Sequence, residues 1–190
     1  MTKRMSRKIW IIVAIVIVAV GATVGVTLSH SPAGPPDSTP QPQKAPDFTL
    51  PAMTGANITL SELEGTSVVL NFWSIACSWC RYQLPFLEGV AQQSEGELQV
   101  IAINMANSAA DIQKFFADYE PAMTIAVDKN METFADYSVA FNNAGRSIPF
   151  TLFVDSEGVV QYVKIGAFAS EEQLWDTLND IFGITAPQTS

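Results

Sequence analysis

Cys77 and Cys80 are the only two cysteines in this 190-residue chain, and two residues separate them. Such a pair can help to hold a metal, close a structural disulfide or exchange electrons as a dithiol–disulfide couple. Zinc needs about four ligands, and the chain has a single histidine, His30, far from the pair. A bridge over so short a loop constrains the unfolded chain little. The spacing therefore favours disulfide exchange, with a metal site and a structural bridge as the alternatives.

The elements around the pair suit this chemistry. A buried strand is predicted over Ser67–Trp73 and a helix over Ser78–Gln93, so the cysteines lie at a strand-to-helix connection. Cys77 would then lie at the positive end of the helix dipole, which favours the attacking thiolate. Cys80 follows one turn later and could resolve a mixed disulfide. The predicted inner face of the helix consists of Trp79, Leu84, Leu87 and Val90.

Strand and helix signals continue to alternate after this helix. Apolar runs predict strands over Leu98–Met105 and Met123–Asp128, and a β-hairpin over Thr151–Gly166. Further helices are predicted over Ala109–Tyr119 with Ser108 as the cap, near residues 131–141, and from Ser170 to Phe182 with a capping box formed by Ser170 and Gln173. This order predicts an α/β fold with a mixed sheet.

The charge of the chain is unevenly distributed. Four of its ten Lys and Arg residues lie within the first eight positions, whereas all nineteen Asp and Glu residues come later. The remaining six cations against nineteen acids give the rest of the chain a formal charge of −13. Because such a surface repels phosphate backbones, nucleic acid is not an expected partner.

The N-terminal sequence predicts a membrane anchor. Residues 9–28 contain no charged side chain and follow the basic segment 1–8. Twenty helical residues span about 30 Å, the thickness of the hydrocarbon layer. The basic cluster places the N-terminus in the cytoplasm and the catalytic domain outside; a cleaved signal peptide is the alternative. A proline-rich linker over 29–46, a folded domain over 47–184 and a tail over 185–190 complete the predicted organisation.

The segment "VVLNFWSIACSWCRYQLPFLE" resembles the active-site segment of the thioredoxin superfamily, in particular its membrane-anchored TlpA/ResA/CcmG-type members. "SIPFTLFVDSEGVV" resembles the family's cis-proline segment. The resemblance implies a thioredoxin-like fold, a central mixed β-sheet flanked by helices, here preceded by a transmembrane helix. It implies that Pro149 is the cis-proline beside the cysteines and that Ile148 presents backbone groups to a partner. We assign Ile148, Pro149 and Trp79 to substrate binding, and Cys77 and Cys80 to catalysis.

The resemblance also implies an activity, that of an extracytoplasmic protein thiol–disulfide oxidoreductase. A role as a reductant is implied, for instance in cytochrome c maturation, with protein thiols and disulfides as substrates. Electrons would come from a membrane donor of the CcdA/DsbD type, and no cofactor is expected beyond the Cys77–Cys80 disulfide. An oxidase that forms disulfides in secreted proteins would use the same two sulfurs.

At four positions, the residue type in this chain can be compared with the residue that the family carries, and each comparison concerns the redox chemistry. Ala76 replaces the usual tryptophan before the first cysteine, and Trp79 replaces the usual proline before the second. Gln83 stands where many members carry a glutamate that can accept a proton, and Asn71, usual in this subfamily, stands where ordinary thioredoxins have a buried aspartate. The proton acceptor is therefore left open among water, the partner's thiolate and another carboxylate.

Two other function classes are alternatives to disulfide exchange. A peroxiredoxin-like thiol peroxidase needs Ser or Thr three residues before its cysteine, which Ser74 satisfies, and Arg146 would be its activating arginine. The upstream proline of that motif is absent, and the Cys-x-x-Cys pair favours disulfide exchange. A non-enzymatic membrane-tethered binding module or metallochaperone is the second alternative.

Overall fold

The computed structural model describes residues 43–94, 96–117 and 119–187. They all belong to the second of two units into which the chain divides, residues 37–190. The predicted segments 1–8 and 9–28, and most of 29–46, lie outside the described residues. Among the residues described, no helix is both long and apolar enough to cross a membrane.

A six-stranded mixed sheet forms the centre of the domain. Its strands are β1 (Gln43–Lys44), β4 (Ser67–Trp73), β5 (Leu98–Met105), β6 (Thr124–Asp128), β7 (Phe150–Val154) and β8 (Val159–Ile165). Their spatial order is β1-β8-β7-β4-β5-β6. β4, β5 and β6 are parallel, whereas β7 is antiparallel to β4 and β8, and β1 is antiparallel to β8. The predicted α/β fold with a mixed sheet is confirmed.

Helices cover both faces of this sheet. The helices are α1 (Ser78–Gln93), α2 (Ala109–Phe116), α3 (Glu132–Ala140) and α4 (Glu171–Phe182). Apolar residues of α1, α2 and α4 form one hydrophobic cluster with one face of the sheet, and those of α3 form a second cluster with the opposite face. Because β4 and β5 are covered on both sides, their sequences are mostly apolar rather than alternating, interrupted within the strands only by Asn71, Gln99 and Asn104.

The helix termini differ from the sequence-based predictions in two details. α2 ends at Phe116 and not at Tyr119, because Ala117 adopts a positive φ of 44° that interrupts the helix. Ser108 caps it as predicted, in a capping box with Asp111. At α4 only half of the predicted capping box forms. The Ser170 hydroxyl accepts a hydrogen bond from the Gln173 backbone amide. The Gln173 side chain, however, accepts from the backbone amide of Ala169 and not from the backbone amide of Ser170.

Four short elements precede β4, and the first of them is β1. A two-stranded antiparallel sheet joins β2 (Thr49–Pro51) to β3 (Asn57–Thr59), and a 3-10 helix follows over Leu60–Leu63. β1 lies within the segment predicted as a linker, so the main sheet begins at Gln43, before the predicted domain start at residue 47. Its two residues are polar and exposed, and for that reason no hydrophobic pattern marks them.

Candidate active site

Cys77 is the N-cap residue of α1, directly after the loop that leaves β4. Its Sγ accepts a hydrogen bond from the Cys80 backbone amide at 3.1 Å, which satisfies one of the free amides at the start of the helix. A sulfur held by a backbone N–H at the positive end of a helix is in a setting that stabilises a thiolate. The predicted position of Cys77 at the helix start is confirmed.

The loop between β4 and Cys77 is held by Asn107, a residue that the sequence analysis did not single out. The Ser74 hydroxyl and the Ile75 backbone amide both donate to Asn107 Oδ1, each at 3.2 Å. Asn107 follows β5, the parallel neighbour of β4, so both strands end at the same edge of the sheet. The parallel pairing of β4 and β5 is the feature that could have identified Asn107 from the sequence.

The two cysteines are joined in a disulfide, with their Cα atoms 5.2 Å apart. They differ in burial: Cys80 is 1% exposed, whereas Cys77 is partly exposed. Only Cys77 is therefore within easy reach of a second protein. Trp79, between them, is 67% exposed, so its predicted place on the inner face of the helix is wrong, although Leu84, Leu87 and Val90 are buried as predicted.

The loop before β7 lies beside the disulfide. The Ile148–Pro149 peptide bond is cis, as the family resemblance implied. Cys77 Sγ lies 3.9 Å from the Ile148 carbonyl oxygen, and the Gly166 amide donates to the Pro149 carbonyl at 2.8 Å. The structure thus brings Cys77, Ile148 and Pro149 together at one site.

A groove runs along this site and has a volume of about 470 Å³. Trp79 and Tyr82 of α1 line it on one side, with the cis-proline loop and residues 166–169 around the rest. Tyr82 is a second residue that the sequence analysis missed; its hydroxyl donates to the Ala169 carbonyl at 2.8 Å. All three residues assigned to substrate binding from the sequence, Ile148, Pro149 and Trp79, line this groove.

Gln83, at the position where many family members carry a glutamate, belongs to an uncharged hydrogen-bond network one helical turn after Cys80. Gln83 is fully buried; its Oε1 accepts from the Phe168 amide at 2.9 Å and its Nε2 donates to Thr151 Oγ1 at 3.3 Å. Asn71 Nδ2 donates to the same Thr151 hydroxyl at 2.9 Å. Because every side chain in this network is neutral, the network itself supplies no base.

The residues proposed for a thiol peroxidase are not assembled into such a site. The Ser74 hydroxyl is directed to Asn107, and the Ser74 carbonyl accepts from the Cys77 amide. Arg146 is exposed, and its backbone amide bonds to Asn143 in the loop that leads to Ile148. Among the residues described, the hydrogen bonds of Cys77 involve Ser74, Cys80, Arg81 and Ile148, not the Arg146 guanidinium.

Comparison with known proteins decides the family. A sequence profile of the AhpC/TSA family matches residues 42–163, more than half of the chain. The chain belongs to the AhpC/TSA family. Along the chain, the match runs from β1 into β8, so it includes the strands between them, both cysteines and the cis-proline loop.

Individual relatives agree with this assignment. The thioredoxin-like protein YneN of Bacillus subtilis is 32% identical over 133 residues, 68% of this chain and 74% of that protein. The thiol-disulfide oxidoreductase ResA of the same organism is 25% identical over 175 residues, 92% of this chain and 93% of ResA. A crystal structure from Chlorobium tepidum, described as a DsbE thiol:disulfide interchange protein, superposes with a TM-score of 0.62 and 30% identity, covering 74% of this chain and 99% of that one.

The predicted class of enzyme is therefore confirmed. The chain is a thioredoxin-like thiol–disulfide oxidoreductase of the ResA/DsbE type with a Cys-x-x-Cys pair.

Proposed function

We propose that this protein is tethered to the membrane, faces the extracytoplasmic side and reduces disulfides in partner proteins. Cys77 is the attacking residue and Cys80 the resolving residue. One observation carries this assignment: the partly exposed Cys77 sulfur lies at a helix N-terminus under a backbone N–H, while its disulfide partner Cys80 is 1% exposed.

The cycle starts from the dithiol form. The Cys77 thiolate attacks one sulfur of the partner's disulfide, which forms a mixed disulfide and releases the other partner sulfur as a thiolate. Cys80 then loses its proton and attacks Cys77 Sγ. The Cys77–Cys80 disulfide forms, the second partner sulfur leaves, and two electrons have passed to the partner. A reductant of the dithiol class must then restore the enzyme.

The proton of Cys80 needs an acceptor in the resolving step. Gln83, one turn after Cys80, cannot ionise, and both ends of its amide are occupied by hydrogen bonds. We assign the role to the partner's first released thiolate, a stronger base than water that the reaction itself produces beside the pair.

The groove beside the disulfide is the proposed docking site. Ile148 presents its backbone to an extended partner segment, and Pro149 and Trp79 contact its side chains. Ile148 is half-buried and Pro149 is buried, whereas Trp79 is open to a partner. An exposed aromatic residue beside a reactive sulfur is the kind of anchor that protein interfaces use.

The tether rests on residues 9–28 and the basic segment before them. The similarity to ResA extends over 92% of this chain, and therefore beyond the folded domain into the N-terminal region. We propose a membrane electron donor of the CcdA/DsbD type, no cofactor beyond the disulfide, and apocytochrome c among the substrates.

Trapping tests the proposed function. In Cys80→Ser the resolving thiol is absent, so partners should accumulate as mixed disulfides on Cys77, identifiable by mass spectrometry after acid quenching. Partners that carry the haem-binding cysteines of cytochromes c would support the proposed substrate. Cys77→Ser is the matched control and should trap few partners because Cys80 is buried. Equal trapping by both variants, or none by Cys80→Ser, would contradict the assignment.

A further inference from the structure

A strip of aromatic rings begins between the two cysteines; Trp79 and Tyr82 are exposed, whereas Phe86 is half-buried against the core. Trp79, Tyr82 and Phe86 lie on one side of α1, and their rings form edge-to-face pairs, with centroids 5.9 Å apart for Trp79 and Tyr82 and 5.2 Å apart for Tyr82 and Phe86. Trp79 is 67% exposed and Tyr82 is 48% exposed. Single exposed apolar residues are ordinary, but a contiguous aromatic strip next to a reacting sulfur indicates an interaction surface.

The groove that this strip borders is held in shape by hydrogen bonds to its far wall. The Tyr82 hydroxyl binds the Ala169 carbonyl at 2.8 Å, and Gln83 accepts from the Phe168 amide at 2.9 Å. The cis-proline loop is fixed in turn by Gly166, which donates to the Pro149 carbonyl. A groove fixed on both sides is ready for a ligand and loses little freedom on binding.

The lining of the groove is uncharged, on a body that is strongly acidic. Its eight residues are Trp79, Tyr82, Ile148, Pro149, Gly166, Ala167, Phe168 and Ala169. A charged side chain that entered it would lose water, and none of the lining residues offers it a charge of opposite sign. The Lys164 ammonium lies outside the lining, 5.4 Å from the centroid of the Phe168 ring, and an acidic side chain would also meet the negative field of the domain. An apolar side chain would lose only unfavourable contact with water.

We propose that the groove selects partner proteins whose reacting cysteine is flanked by a bulky apolar residue, with Trp79 and Tyr82 as the specificity-determining side chains. The inference rests on the proposed function, since it names the substrate class of the same site. The flanking side chain packs on the aromatic strip while the partner's sulfur faces Cys77. Two aromatic rings in contact attract each other in addition to the stabilisation from buried apolar area. A flanking phenylalanine should therefore be favoured over serine or aspartate.

The test uses the reduced full chain and three synthetic peptides. Each substrate is a dimer of two identical peptides joined by a disulfide between their single cysteines. The residue before each cysteine is phenylalanine in the first substrate, serine in the second and aspartate in the third. Stopped-flow rate constants are divided by the rate constant for glutathione disulfide with the same protein variant. The phenylalanine peptide should react about fivefold faster than the serine peptide, and the aspartate peptide slowest.

Three substitutions assign the preference to residues. Trp79→Ala and Tyr82→Ala should each lower the phenylalanine-to-serine ratio to about twofold or less, whereas Tyr82→Phe, which keeps the ring, should retain most of it. Val139→Ala is the matched control, because Val139 is 80% exposed on α3, whose buried residues pack on the opposite face of the sheet. It should leave the ratio unchanged.

Two failures are distinguishable. Equal rates for the three peptides, or a preference that survives both alanine substitutions, would overturn this inference while glutathione disulfide still reacts. If glutathione disulfide itself fails to react with the reduced protein, the proposed function is overturned, and the inference with it.

Discussion

The two cysteines differ in burial, and that difference assigns their roles. Cys77 caps α1 and remains partly open to solvent, whereas Cys80, one helical turn later, faces the core at 1% exposure. The sequence predicted the pair and its order, because a strand followed by a helix places the first cysteine at the helix start. It did not predict the outward direction of Trp79. Cys80, Gln83, Leu84 and Leu87 set the buried face, and Trp79 is displaced by about 100° from Cys80 around the helix.

Gln83 also has a structural role that the sequence did not reveal. Its side chain satisfies the Phe168 amide, and both residues are almost completely buried. Replacing Gln83 with leucine removes that acceptor and leaves a buried N–H without a partner. We expect Gln83→Leu to lower the free energy of unfolding by about 1–3 kcal/mol in urea denaturation.

Gln93→Leu is the matched control for this substitution. Gln93 lies on the same helix but is exposed, and its contact with Glu171 is solvent-accessible. Its replacement should change the free energy of unfolding by about 0.5 kcal/mol or less. Equal effects of the two substitutions would show that the buried network adds nothing to stability.

At the scale of elements, Glu88 connects α1 to the segment that precedes β6. Its carboxylate accepts hydrogen bonds from the Tyr119 hydroxyl at 2.6 Å, the Ala122 amide at 2.8 Å and the Met123 amide at 3.3 Å, and from Gln92 at 2.9 Å. Burial alone would raise the pKa of Glu88, but these hydrogen bonds outweigh it and hold the pKa below the usual value of 4.5. The same contact raises the pKa of the Tyr119 hydroxyl.

This lowered pKa makes the stability of the fold depend on pH. Because the pKa of Glu88 is lower in the folded than in the unfolded chain, its contribution is fully present above the unfolded pKa. The contribution is lost as the pH falls through the folded pKa. We expect Glu88→Gln to reduce the free energy of unfolding by about 1–3 kcal/mol at neutral pH and by less in acid.

Urea denaturation of both proteins across the acid range measures this difference. Glu97→Gln, at an exposed position shortly after α1, is the matched control and should follow the wild-type curve. A Glu88→Gln deficit that stays constant down to the lowest pH would contradict the linkage.

The elements that the sequence predicted best are those with strong local signals. β4, α1 and β5 have the predicted bounds, because buried apolar runs, a helix cap and helical spacing mark them. β1, β2 and β3 were missed because they are two or three residues long and mostly exposed. The Asn107 contact to the active-site loop was missed because it depends on which strands are neighbours, which no local pattern encodes.

At the scale of the whole molecule, the proposed N-terminal anchor tethers an acidic catalytic domain to a membrane. Cell fractionation should recover the full chain with the membrane pellet, released by detergent and not by high salt, and deletion of residues 1–28 should abolish that retention. In intact cells, a membrane-impermeant thiol reagent should label Cys77 of reduced Cys80→Ser, because the proposed topology places the domain outside. Recovery of the full chain in the soluble fraction would contradict the tether, and labelling only after lysis would contradict the topology.

In the proposed function, Cys77 and Cys80 cycle between dithiol and disulfide as a reducing couple. The most direct test is a redox titration of the purified full chain against defined thiol–disulfide buffers, with the two forms separated by mass after alkylation. We expect one two-electron transition involving both cysteines, with a midpoint more negative than about −200 mV. A midpoint near that of a strong oxidant, about −120 mV, would contradict the reducing role, and the absence of any transition would contradict disulfide exchange itself.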